Sequence, residues 1–374
     1  MRHFGVATEE MRSAKNVHAW VTGFPSRKST AIAARLLEDG HTVSLLARDA
    51  HQAERALGKH ASLKVLEGEP WGIDFSLSAL EYNGLTRDLT HIFHIPNARI
   101  GSGHVEAARD CISSTGEVLS LLRDLRPNAQ LTHVSTVLTL RGLEGVARED
   151  MRADPKRHRS HVLQAYSHAE RMVDADVSGR SCIVRTGIAF GDSRTGDFEP
   201  GSWGHVLAAF VLDSPDDLPL PIPVPELSTL NLIPTDYLAR AVVALSLRDV
   251  GPSSECFHVV DGKPYGARRV LELLAEAVGR GPLRYSVPST VWQALWRAPL
   301  VGAAAGRGRA HVVEGLIGSS LYDASNARAA LGSLADECPD FASYVKPVVD
   351  HMKAHKQRGG SLLDAGLSDD DIPG

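Results

Sequence analysis

Residues 17–48, VHAWVTGFPSRKSTAIAARLLEDGHTVSLLAR, constrain the fold more than any other stretch of the chain. An apolar run through Val17, Ala19 and Val21 ends at Gly23, and Ile32, Ala33, Leu36 and Leu37 then recur at helical spacing. Asp39-Gly40 stops that helix, and Val43, Leu45 and Leu46 open an apolar run that suits a buried parallel strand. Strand, tight turn, helix and second strand therefore follow one another here.

The rest of the chain extends this pattern. LKVLEGE (63–69) and THIFHI (90–95) read as two further buried strands, and QLTHVSTVLTL (130–140) and CIVRTGIAF (182–190) as a fifth and a sixth. Helices are predicted over 104–125, where Pro127-Asn128 follows, and through Val162, Tyr166, Ala169, Met172 and Val173. This alternation predicts an α/β fold with a doubly wound parallel sheet. The charged, proline-containing stretch 148–160 between them is most simply a surface loop.

From about residue 192 the pattern loosens. DSRTGDFEPGSWG is rich in Gly, Asp and Ser, and the prolines of LPLPIPVPE forbid regular helix. FHVVDG (257–262), a helix over about 267–279 and a helical segment with Trp292 and Trp296 on one face build a smaller C-terminal region. The expected division is a flexible 1–16, a dinucleotide-binding type of domain over 17–191, a substrate-binding region over 192–355 interleaved with the last strands of the sheet, and a disordered tail over 356–374.

Composition excludes several functions. The net charge of −5 and the lack of a basic cluster with interleaved aromatics speak against a nucleic-acid surface. No apolar stretch is long enough to span a bilayer and the first residues are too polar for a signal peptide, so the expected location is the cytoplasm. Cys111, Cys182, Cys256 and Cys338 lie far apart without metal-ligand spacing, which predicts free thiols and no zinc site.

A turn of the kind at 22–29 normally carries three glycines in dinucleotide-binding folds, because the backbone must bend, approach the pyrophosphate and let the helix pack on the strand. At that spacing this chain has Gly23, Ser26 and Ser29. A serine Cβ in the middle position is expected to obstruct the pyrophosphate or to demand a φ that glycine holds cheaply. Arg27, Lys28 and the helix N-terminus favour a phosphate, and Arg48, ending the second strand, is placed to meet a 2′-phosphate. The cofactor-binding set is thus Gly23, Ser26, Arg27, Ser29 and Arg48, with NADP(H) as the cofactor; the competing reading makes Arg27 and Lys28 solvated loop charges.

Further motifs run in a specific order: HVST at 133–136, AERMV at 169–173, VRTGIAFGDSRTG at 184–196, LNLIPTDYLARAVVALS at 230–246, FHVVDGKP at 257–264, YDASNARAAL at 322–331 and CPDFASYV at 338–345. Together with VTG at 21–23 they resemble the extended short-chain dehydrogenase/reductase family, in its fatty-acyl and thioester reductase branch, over about residues 17–355. The resemblance implies a Rossmann-like domain with a small substrate-binding region, and NADPH-dependent reduction of an acyl thioester or carbonyl. It also implies a Tyr proton donor, a Lys four residues on, a Ser or Thr that polarises the carbonyl and an Asn that supports the Lys.

Thr136 matches the Ser/Thr position. With AERMV as the anchor, the Tyr position falls on Val162, the Lys position on Tyr166 and the Asn position on Cys111. With Tyr166 as the catalytic Tyr, Glu170 stands where Lys belongs, and an anion there raises a phenol pKa. Pro96 and Asn97 replace the usual small residues after the fourth strand, and Gly68-Glu69 replaces a Gly-Asp pair at the adenine.

Three functions stay open. The first is a divergent member acting on an acyl- or polyketide-derived small molecule without standard hydride transfer, by dehydration, cyclisation or isomerisation. Its acid and base groups come from Thr136, Tyr166 and the histidines His158, His161 and His168, with His161 the candidate and solvation in a charged loop the competing reading. The second is a non-catalytic binding or scaffolding protein, the partner of an active relative. The third is an NADPH-dependent reductase in which Tyr166 donates the proton. Asp192, Ser193, Arg194 and Asp236 fall beside the substrate pocket by family position, with turn and cap roles competing. Both a homo-oligomer and a complex with a partner enzyme are compatible with the sequence.

Overall fold

A computed structural model of the protein describes residues 17–98, 103–127, 129–143, 145–176, 180–213, 229–248, 255–280 and 321–357. Seven parallel strands form the central sheet: β1 (His18–Val21), β2 (Thr42–Ala47), β3 (Leu63–Glu67), β4 (His91–His94), β5 (Gln130–Thr136), β7 (Ser181–Thr186) and β10 (Glu255–Val259). Across the sheet they run β3-β2-β1-β4-β5-β7-β10. Two short parallel ladders lie outside it, β6 (Val146–Ala147) with β11 (Leu321–Tyr322), and β8 (Ile188–Ala189) with β9 (Leu232–Ile233).

β1 pairs β2 on one side and β4 on the other, with Ala19 opposite both Val43 and His91. The strand order reverses there, so the crevice beyond the carboxyl ends of β1 and β4 is where an open α/β sheet binds ligands. Ala19, Trp20 and Val21 are all fully buried, as a central strand with helices on both faces requires. One face carries the Arg27–Glu38 and Thr235–Ser246 helices, packed on each other through a core that includes Ile32, Leu36, Tyr237 and Val242. The other buries Trp20, Val118, Leu121, Leu122 and Val173, residues of β1 and of the Ser114–Asp124 and His161–Asp174 helices. A separate core of Phe190, Phe198, Leu271, Phe341 and Val348 joins the Ala267–Val278 and Phe341–Gln357 helices.

Several expected elements are shorter or differently placed. β3 is an edge strand with only Leu66 buried, not a buried strand. β5 stops at Thr136, whose hydroxyl accepts from the Leu138 amide and starts a 3₁₀ turn over Val137–Leu140. The sixth expected strand breaks at Gly187: a Cβ there would lie 2.8 Å from Asn231 Oδ1, and the chain passes into the β8–β9 ladder. The expected 104–125 helix runs with a π segment at Ala108–Ser113.

Segment 148–160 is not the solvated loop its charge suggests. Glu149 is 2 % exposed and accepts from the amides of His258, Asn326 and Ala327 at 2.8, 2.6 and 3.0 Å, fastening this segment to β10 and to the Ser325–Leu331 helix. Three N–H donors offset the desolvation of a buried carboxylate. The four cysteines are free thiols, and among the described residues no helix is long and apolar enough to cross a membrane. The LPLPIPVPE stretch, Trp292, Trp296 and nearly all of the expected tail lie outside the described residues.

Burial leaves its mark on the histidines. His133 on β5 is fully buried, neither ring nitrogen has a hydrogen-bond partner, and desolvation pushes its pKa down to about 3. His258 on β10 is held down to about 4, again chiefly by desolvation and then by the Arg185 charge. A histidine depressed below its unfolded value of 6.5 binds fewer protons folded than unfolded. Its contribution is therefore complete above pH 6.5 and is lost as pH falls toward the folded pKa, by up to about 1.4 kcal/mol per pH unit. Urea unfolding followed from pH 7 to pH 4 should show falling stability, and His133→Leu should be about 1 kcal/mol more stable at pH 7 and flatten the acid slope. An unchanged slope in that variant would contradict the assignment.

Candidate functional site

The turn after β1 is built around Gly23, with φ of +86°; a Cβ there would lie 2.0 Å from the Ile95 carbonyl oxygen. Ser26 then caps the Arg27–Glu38 helix at φ −61° and ψ 145°, its hydroxyl accepting from the Ser29 amide at 3.3 Å. The Ser29 hydroxyl, fully buried, donates to the Ser26 carbonyl at 2.8 Å. Ser26 thus needs no left-handed φ, contrary to one arm of the sequence expectation. The two serines close the first helical turn on itself.

Arg27 is the first helical residue and not a solvated loop charge. Its backbone N–H donates to Glu199 Oε2 at 2.6 Å, while its guanidinium meets Asp197 Oδ2 at 3.0 Å and the Phe198 carbonyl at 3.4 Å. Lys28 is half-buried; desolvation lowers its pKa and the Glu199 carboxylate works against that lowering. A helix N-terminus at this turn is the pyrophosphate position of a dinucleotide fold. Here a carboxylate of the chain itself stands on the amide.

The outer groove begins at Arg48, whose Nε pairs with Glu69 Oε2 at 2.9 Å. The guanidinium carbons of Arg48 and Arg109 lie 4.3 and 4.2 Å from the centroid of the Trp71 ring, a doubled cation–π contact. These three residues, with Thr22, Gln52 and Asn97, line a cavity of about 500 Å³ that reaches the turn.

On the far side lies the helix expected to carry the acid and base. Tyr166 is buried and donates its hydroxyl to the Pro96 carbonyl at 2.8 Å. Desolvation, reinforced by Cys111 and Glu199, holds its pKa well above the ordinary phenol value. Cys111 shares its small apolar cluster, and burial pushes that thiol far up as well. The positions that the family gives to Asn and Lys therefore do meet, but as a protonated thiol and a protonated phenol. Val162, at the Tyr position, packs on the same cluster.

Glu170 is committed elsewhere. It is 2 % exposed and bonds Arg185 Nε and Nη2 at 3.0 and 2.8 Å, while accepting from the hydroxyls of Ser135 and Thr139. Arg185 also donates to the Met151 carbonyl at 2.9 Å and to His258 Nε2 at 3.3 Å. This network ties β5 to β7 and commits the Arg185 charge to Glu170.

The remaining candidates are dispersed. Thr136 is nearly buried and spends its oxygen on the Leu138 amide. His158 is buried and donates from Nε2 to the Thr139 carbonyl at 2.9 Å, contrary to the solvated reading, whereas His168 is exposed. His161 is exposed, with Nδ1 at 3.2 Å from Nδ1 of His104. Asp192 closes a turn by accepting from the amides of Arg194 and Thr195, and Asp236 accepts from the amide and hydroxyl of Ser193. The cofactor-side residues Gly23, Ser26, Arg27 and Ser29 are brought together, Arg48 lines the same cavity as Gly23, and Thr136, Tyr166 and His161 have separate partners.

Sequence spacing could not find Glu199, Trp71 or Arg109. Each acts across more than twenty residues of chain, and a lone Glu between Phe and Pro carries no periodic signal. A buried ion pair was hinted at by Glu170, the one charged position on the buried face of its helix.

Fold and site define an open, Rossmann-like α/β protein of the extended short-chain dehydrogenase/reductase type, thioester-reductase-like. The family of the Male sterility protein, an NAD-binding family, matches residues 14–242, and the chain belongs to it. Nothing matches among curated protein sequences. The terminal R domain from the myxalamid PKS-NRPS biosynthetic pathway is similar in structure, with TM-score 0.75 at 20 % identity, covering 93 % of this chain and 92 % of the other. A thiolation-reductase di-domain from an archaeal non-ribosomal peptide synthetase gives 0.69 at 13 %, covering 92 % and 76 %. WbmF of Bordetella bronchiseptica, solved with NAD⁺, gives 0.65 at 13 %, covering 94 % and 96 %. At these identities the likeness establishes the fold.

A dinucleotide does not fit the described arrangement at its pyrophosphate, because that group and the Glu199 carboxylate need the same amide. The Glu170–Arg185 pair yields a stability prediction. Arg185→Met, which strands the buried carboxylate, should cost about 3–5 kcal/mol in urea unfolding at pH 7, and adding Glu170→Gln should recover most of that loss. Equal losses in the single and double variants would show that packing, not the charge pair, is responsible.

Proposed function

We propose that this chain is a thioester-reductase-like protein of the cytoplasm that handles an acyl-type small molecule without Tyr/Lys-dependent hydride transfer. The observation that carries this reading is the His161–Asp174 helix, where Val162, Tyr166 and Glu170 occupy the acid/base face. Tyr166 donates a hydrogen bond to a backbone carbonyl and Glu170 is bound to Arg185, so neither register reproduces the Tyr-x-x-x-Lys pair. The acyl class of substrate follows from family membership and from the structural likeness to reductase domains of assembly-line enzymes.

NADPH-dependent reduction is the second reading, favoured by the cavity that holds Arg48 and Arg109 at its outer end. The two readings separate in one experiment. Purified protein is incubated with acyl-coenzyme A and acyl-pantetheine thioesters, with and without NADPH, following absorbance at 340 nm and the substrate by mass spectrometry. The expected outcome is no NADPH consumption above the protein-free control, with any conversion independent of cofactor. NADPH oxidation that depends on thioester, and that falls at least about tenfold in Tyr166→Phe, would establish the reductase instead. Binding of the thioester without conversion would identify a binding protein.

A further inference from the structure

We propose that Glu199 is an intramolecular ligand for the dinucleotide turn: its carboxylate holds the N-terminus of the Arg27–Glu38 helix in place of a pyrophosphate, and keeps NAD(P)(H) out of the groove. The inference deepens the reading above and rests on it only in treating the groove as unused for hydride transfer. It concerns binding, which is measured apart from turnover.

Glu199 meets the requirements of such a ligand. It is an anion on the first amide of a twelve-residue helix, where unpaired N–H groups and the helix dipole favour negative charge. Its Oε2 lies 2.6 Å from the Arg27 nitrogen, the short separation of a charge-assisted hydrogen bond. The two cations that the sequence offers to a phosphate are engaged by the same segment: Arg27 with Asp197 and the Phe198 carbonyl, and Lys28 through the Glu199 charge. An incoming pyrophosphate would find its amide and its counter-charges already compensated.

The segment is seated and does not merely pass over the turn. Phe198 is buried in the C-terminal core, stacked on His205 at 4.9 Å between ring centroids and edge-on to His351 and His355. Gly196, at φ +72°, lies so close to the Phe341–Gln357 helix that a Cβ would sit 2.2 Å from the Pro347 carbonyl oxygen. The Gly201 amide donates to His205 Nδ1 at 2.8 Å, anchoring the far end. A group held this way competes at an effective concentration of about millimolar, so a free dinucleotide must displace it and binds more weakly by that competition. The turn and the C-terminal core are thereby joined through residues 197–199: dinucleotide entry requires Phe198 to leave its seat or Glu199 to swing away from Arg27.

The test is calorimetric titration of the full chain with NADP⁺ and with NAD⁺, comparing the native protein with Glu199→Ala, Glu199→Gln and Phe198→Ala. The last variant keeps the carboxylate and removes its seat. Native protein should not saturate, Glu199→Ala should bind at least about tenfold tighter, and Glu199→Gln should fall between them. Phe198→Ala should gain in the same direction, and it decides the matter if Glu199→Ala does not fold. Micromolar binding to native protein, or no gain in the folded variants, overturns the proposal. Tight native binding without NADPH consumption would sink this inference alone, whereas thioester-dependent NADPH consumption by native protein would sink the preceding reading with it.

Discussion

Gly23 has room for a hydrogen and nothing more, and the architecture of the site follows from that. The chain leaves β1 at the reversal of strand order, where β4 ends beside it, and must turn within contact of the Ile95 carbonyl. A side chain at that point would displace β4 or the helix that follows. Once the turn is made, the Arg27–Glu38 helix is aimed with its N-terminus at the crevice, and its first amides need a partner. In a dinucleotide-binding protein that partner arrives with the cofactor. Here the need is met within the chain, by Ser26 from inside the turn and by Glu199 from residues far along the sequence.

The acid/base helix shows the same internal settlement. A buried carboxylate at Glu170 would be costly alone, and Arg185 with the Ser135 and Thr139 hydroxyls satisfies it. Met151 and His258 then take two more of the guanidinium donors, so the charge is absorbed into a network joining β5, β7 and β10. Tyr166 needs only an acceptor for its proton and finds it in the Pro96 carbonyl, at the residue where the family carries a small side chain beside the cofactor. Tyr166 and Glu170 are thereby both turned toward the protein.

Much of the fold was legible in the sequence because buried parallel strands and amphipathic helices write themselves as periodic apolar patterns. The 17–48 unit is found as read, and the reading of alternating strands and helices holds through β7. What failed was local and polar. Thr136 ends β5 by bonding two residues ahead, a choice no apolar period records, and segment 148–160 looks like a solvated loop until the three amides that receive Glu149 are known. At the site, the turn glycine and the missing Tyr–Lys pair could be read, since both are motifs in short windows. The replacements could not. Glu199, Trp71 and Arg109 act across long separations, and their residue types are unremarkable where they stand.

The turn and the acid/base helix bear on one another physically through Glu199. Its carboxylate acts on both Lys28 and Tyr166, compensating the first and helping to hold the second protonated. Removing the carboxylate alone would leave Lys28 without compensation in a desolvated position. Glu199 thus couples the turn to the acid/base helix, and a change at either is felt at the other.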